Sequence, residues 1–99
     1  MPDKTLTPRH YTAVKYQLPK EGLVTLRLDS DIPVKTYIVR PKGLDRYREG
    51  AVFKYYGGFP DARKHQQQMI WLPFTGNWYL IISNPDKDRP ASVEYEVSF

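Results

Sequence analysis

The final stretch of the chain, Ala91 to Phe99, alternates without a slip. Val93, Tyr95, Val97 and Phe99 fall on one side, and Ser92, Glu94, Glu96 and Ser98 on the other. A period of two puts successive side chains on opposite faces of a strand, whereas a helix needs an apolar return every three or four residues. The same signature recurs upstream. In Leu23 to Asp29, Val24, Leu26 and Leu28 oppose Thr25 and Arg27. In Val34 to Arg40 both sets are partly apolar, as in a central strand. Gln66 to Phe74 sets Ile70, Leu72 and Phe74 against Met69 and Trp71. His10 to Leu18 and Ala51 to Tyr56 are rich in β-branched and aromatic residues, and Trp78 to Ser83 is the most hydrophobic run.

Turn chemistry separates these runs at Pro19-Lys20-Glu21-Gly22, Asp29-Ser30-Asp31-Ile32-Pro33, Pro41, Thr75-Gly76-Asn77 and Asn84 to Pro90. The Thr75-Gly76-Asn77 step has hairpin chemistry. Only Lys42 to Gly50, bracketed by glycines, has room for a helical turn. The pattern predicts an all-β chain, an antiparallel β-sandwich (jelly-roll-like or a partly open barrel) of about seven or eight short strands. Residues 10–99 form one domain, and residues 1–9, polar with two prolines, form an N-terminal arm.

Ninety-nine residues with 40% apolar side chains can build a core without a staple, and with no cysteine there is no disulfide or zinc–thiolate framework. The N-terminal residues lack an apolar signal core, and no run approaches the roughly 18 residues of a membrane-spanning helix. A cytoplasmic location without membrane partners is therefore expected.

The net charge of +4 is concentrated. Between Arg40 and His65 stand seven basic residues against three acidic ones, and elsewhere the two signs balance. This basic segment surrounds Phe53-Lys54-Tyr55-Tyr56-Gly57-Gly58-Phe59-Pro60, which holds the only Gly-Gly pair. Adjacent glycines permit positive φ, a bulge or the close approach of another group. Tyr47, Tyr55, Tyr56 and Phe59 offer ring faces, and Arg46, Arg48, Lys54, Arg63 and Lys64 offer charge. Such interleaving suits an anionic ligand, including nucleotides and single-stranded nucleic acid. In a competing reading Phe53 and Tyr55 simply face the core and the basic residues are a solvated loop. Trp71, Trp78 and Tyr79 are expected mainly in the core; an outward Trp beside Tyr would instead make a platform.

Nothing in the sequence announces a reaction. The two histidines, His10 and His65, and the four serines, Ser30, Ser83, Ser92 and Ser98, stand in no nucleophile context. Asn84 to Asp88 starts like a calcium loop, but its sixth position is Arg89 and its twelfth Tyr95. Walker and dinucleotide fingerprints are absent, and no cofactor is expected.

Several segments together resemble a family. They are a His-Tyr start, Val24-Thr25-Leu26, Tyr47-x-x-Gly50, Phe53-x-Tyr55-Tyr56-Gly57-Gly58 and Leu72-Pro73-x-x-x-Gly76-x-Trp78-Tyr79-x-x-Ile82. The chain is similar over His10 to Phe99 to bacterial domain-of-unknown-function family 1883, departing from it in a longer polar insert at Asp61 to Gln68. The resemblance implies a small all-β fold, bacterial origin and a sensing or interaction role, some members standing beside TIR domains. It brings no catalytic residue. The expectation is thus a non-catalytic binding module for an anionic small molecule or protein partner. Its expected site is Arg46, Tyr47, Arg48, Lys54, Tyr55, Tyr56, Gly57, Gly58, Arg63 and Lys64. A nucleic-acid binder and an oligomer-forming domain, with Trp71 or Met69 in the interface, are the alternatives.

Overall fold

The computed structural model describes residues 3–99. One strand organises them: β3, Gly22–Val39, 18 residues long. Its even-numbered positions from Val24 to Ile38 are all buried, Ser30 and Ile32 included. The alternation therefore runs straight through Asp29-to-Pro33, where a break was expected. Asp29, Asp31 and Pro33 occupy exposed positions of a continuous strand, so their turn-forming tendency is never exercised. Pro33 lies in the stretch between Asp29 and Val34 where pairing with the neighbouring strand is interrupted. A residue without an N–H is tolerated at such a gap.

The other elements are β1 (Asp3–Leu6), β2 (Tyr11–Leu18), α1 (Pro41–Glu49), β4 (Arg63–Leu72), β5 (Gly76–Ser83) and β6 (Ala91–Ser98). The strands form one antiparallel sheet in the order β1-β6-β3-β5-β2, with β4 also on β3. The first half of β3 lies between β4 and β6, and the second half pairs with β5. Because β3 serves both groups, the sheet curls into a half-barrel. Its concave side holds the main core, which includes Leu26, Ile38, Leu80, Ile82, Val93 and the fully buried Trp78. Removing each aliphatic side chain from water contributes about 1.5–3 kcal/mol.

The β2-β5-β3 half is apolar on its convex side too. Val39 and Ile81 are buried there beneath Leu44 of α1, with Ala13, Tyr37, Tyr47, Phe53 and Tyr79 packed around them. This second core explains why a nine-residue helix is stable although isolated helices of that length are not. Pro41 opens the helix, where its missing N–H is harmless, and Gly50 closes it at φ 71°. The Gly50 N–H donates to the Tyr47 carbonyl and the Ala51 N–H to that of Arg46, the paired bonds of a Schellman ending.

Four expectations need correction. Among the described residues there are six strands rather than seven or eight: the runs at 23–29 and 34–40 are one strand, Ala51 to Tyr56 forms none, and β1 adds one. Ala51 to Tyr56 is irregular, for it lies over the second core instead of joining a ladder at full length. The expected arm contains β1, held by β6 and by the buried Asn84 amide, which donates to the Leu6 carbonyl at 3.1 Å; Met1 and Pro2 lie outside the described residues. The step at Thr75-Gly76-Asn77 is no hairpin: β4 pairs with β3, and β5 with β2 and β3. Among the described residues no helix is long and apolar enough to cross a membrane.

Candidate anion-binding site

The Gly57-Gly58 pair is fastened to β3. The Ile38 N–H donates to the Gly57 carbonyl and the Tyr56 N–H to the Ile38 carbonyl, both at 2.8 Å. Phe59 and Thr36 exchange backbone bonds, and Thr36 Oγ1 also accepts from the Phe59 N–H. A side chain on Gly58, at φ +112°, would collide with the Thr36 carbonyl, and one on Gly57 would meet Ile70. The close approach that the glycines permit is therefore to the protein's own strand. The polar stretch 61–68 completes this fastening. Gln68 Oε1 accepts from the Gly58 N–H at 2.8 Å, and buried Gln66 receives the Thr36 hydroxyl at 2.6 Å while donating to the Val34 carbonyl.

Once the glycines are fixed, the preceding residues lie against the start of α1. Gly43 is buried, and a Cβ there would stand 3.0 Å from Val39 Cβ and 3.1 Å from the Lys54 carbonyl oxygen. Between these segments opens a cavity of about 600 Å³ lined by Arg40, Pro41, Lys42, Gly43, Arg46, Lys54 and Tyr56. Four of the seven lining residues are cationic and none is acidic. Among the described residues none of the four forms an ion pair.

Aromatic rings orient two of these cations. The Arg40 guanidinium lies 4.4 Å over the Phe74 ring, and Lys54 Nζ 5.0 Å over the Tyr56 ring. Phe74 and Tyr56 meet edge to face at 5.0 Å, which links the two pairs. The helix adds to the positive potential. Its first turn holds no acidic residue and its N-cap makes no side-chain bond. Arg40 and Lys42 therefore stand at the positive end of the helix dipole, an arrangement that an anion relieves.

Of the ten expected residues, the structure brings Arg46, Lys54 and Tyr56 to this cavity. Tyr47 and Tyr55 belong instead to a ring cluster with Tyr11, Tyr37 and Phe53 over the second core, where centroids lie 5.0 to 6.0 Å apart. Arg48 joins that cluster, its Nε donating to the Tyr11 hydroxyl at 3.1 Å. Gly57 and Gly58 pack on β3. Arg63 pairs with Asp61 at 2.8 Å and lies over Phe59, and Lys64 is exposed on β4; neither lines the cavity. Sequence reasoning missed Arg40 and Lys42 because they flank Pro41 at a strand end. The signal was present in Arg40-Pro41-Lys42, a proline-led helix start bearing cations.

Trp78 is in the core, Tyr79 is half-buried, and Trp71 is 60% exposed. His65 Nδ1 donates to Asp29 Oδ1 at 2.7 Å on the exposed surface, and His10 Nδ1 to the Pro8 carbonyl. Asp86 accepts the Asp88 and Arg89 N–H groups and the Arg89 side chain, which together hold its carboxyl below the usual range. Among the described residues no three His, Cys, Asp or Glu side chains are grouped to hold a metal ion. No protein-family model matches the chain, and no curated protein matches it significantly.

Proposed function

We propose that the protein is a non-catalytic binding module that recognises an anionic ligand or partner at the cavity between α1 and Lys54. One observation carries this reading: four cationic side chains converge on a single cavity whose lining contains no carboxylate. Asp45 and Glu49 lie on the far side of Lys42 and Arg46, yet none of the four cations is held in an ion pair among the described residues, so a cluster with oriented members favours an anion. The reading keeps the resemblance to bacterial family 1883, with a cytoplasmic, partly open β-barrel as scaffold and a role near TIR-type modules.

The test is a thermal-shift and calorimetric titration at low salt with tripolyphosphate, citrate and hexaglutamate. The natural protein is expected to bind at least one of them. The Arg46→Ala/Lys54→Ala variant should melt within a few degrees of it and bind at least about tenfold more weakly. Equal binding by that variant, or no binding by the natural protein, refutes the proposal.

Two further readings each have an observation in their favour. Tyr55, 44% exposed beside Tyr37 and Phe53, offers a ring to a nucleotide or single-stranded nucleic acid. The exposed Leu23, Met69 and Trp71 favour an oligomer-forming domain.

A further inference from the structure

We infer that the cavity takes a compact, multiply charged phosphate group, held by charge and hydrogen bonds with no aromatic stacking from the protein. The inference rests on the anion-binding reading above and narrows its ligand class.

Charge density is the first ground. Arg40, Lys42, Arg46 and Lys54 share about 600 Å³. Matching them needs several negative charges in a small volume. A phosphate monoester brings about −1.5 to −2 and three acceptor oxygens on one centre. An acidic peptide carries at most one side-chain carboxylate per residue and spreads its charge along roughly 3.3–3.6 Å per residue of extended chain.

Donor geometry is the second ground. Arg40 and Arg46 present planar forks that match phosphate oxygens in pairs, and the two lysines supply point charges. The third ground separates this cavity from a nucleobase site. Tyr56 is its only lining ring, and that ring already carries Lys54 over its face and the Phe74 contact beside it. Phe74 in turn carries Arg40. The rings hold cations in position, so a base has little free face on which to stack.

The probes are tripolyphosphate, adenosine triphosphate, inositol hexakisphosphate, adenosine, citrate and hexaglutamate, titrated calorimetrically into the whole protein. Tripolyphosphate and adenosine triphosphate are expected to bind within about threefold of each other, with adenosine silent and both carboxylate probes at least about tenfold weaker. Inositol hexakisphosphate distinguishes a phosphorylated ring from a linear chain, and binding by either form supports the inference. Arg40→Gln should weaken tripolyphosphate binding about tenfold without shifting the melting temperature. Phe74→Leu, which keeps apolar volume but removes the ring beneath Arg40, should weaken it severalfold. Adenosine triphosphate at least tenfold tighter than tripolyphosphate would overturn the inference by revealing base recognition. Carboxylate probes that match or exceed the phosphates would overturn it while leaving anion binding intact. Silence from every probe would remove both.

Discussion

The convex side of the sheet is dressed differently at its two halves. Over β2-β5-β3, Val39, Ile81 and Tyr37 are roofed by α1 and by the segment around Phe53. Over β4-β3-β6 there is no roof. Leu23 faces Trp71 and Thr25 faces Met69, with Trp71 60% and Met69 65% exposed. Further along, that surface becomes charged, with Asp3, Glu94, Asp29 and His65 in register across four strands. The difference follows from the strands themselves. Where one face is polar, alternation leaves little to hide; where Ile38-Val39 and Leu80-Ile81-Ile82 are apolar on both faces, a cover is required. The proposed anion site is built from that cover and its junction with β3. A packing necessity thus places the cations.

The strongest way to break this contrast is Leu44→Ala, because Leu44 is the one large side chain that α1 buries. A loss of about 2–5 kcal/mol in urea denaturation is expected, with weakened tripolyphosphate binding. A loss under about 0.5 kcal/mol would show that the helix is fastened elsewhere. Alkaline titration gives a smaller effect and compares the two sides of the sheet. On the concave side Tyr16 is pushed up to about 12 by burial and then by Tyr95. On the roofed side Tyr37 is raised by burial, then by Tyr47 and Tyr55. Both phenols stay protonated longer in the folded chain, so their stabilisation is intact below pH 10 and is lost as pH rises through their folded values, which for Tyr16 lies at about 12. Tyr16→Phe should move the alkaline unfolding midpoint upward, and Tyr37→Phe should move it in the same direction by less. The smallest effect belongs to the unroofed face: Trp71→Ser should alter stability by no more than about 0.5 kcal/mol. A larger loss in dilute protein would mean that Trp71 is packed.

Much of the fold was legible because burial follows a period of two. Val24, Leu26 and Leu28, Ile70, Leu72 and Phe74, and Val93 and Tyr95 all point inward as the alternation requires. Local turn chemistry misled where position outweighed it. At Asp29 to Pro33 the turn formers fall on outward positions, so the strand continues through them and only its pairing with β4 is interrupted. β1 offered only Leu6 as an apolar signal, and its partners lie some ninety residues away. The basic, ring-rich segment pointed to the right neighbourhood without resolving its parts. Nothing local in Tyr55-Tyr56 says that one ring joins the roof and the other meets Phe74. The roles of Gly57 and Gly58 likewise depend on Thr36 and Ile70, which only the folded sheet brings to them.

The pairing of Asp3–Leu6 with Ala91–Glu94 has a kinetic consequence. That ladder cannot close until residue 94 has left the ribosome, and its contact order is close to the maximum this stretch of chain allows. During synthesis β1 must wait unpaired while the intervening strands assemble, and it can add to the edge of the sheet only when β6 is in place. A translation-arrest series is therefore expected to find the first strand protease-sensitive until the last one emerges.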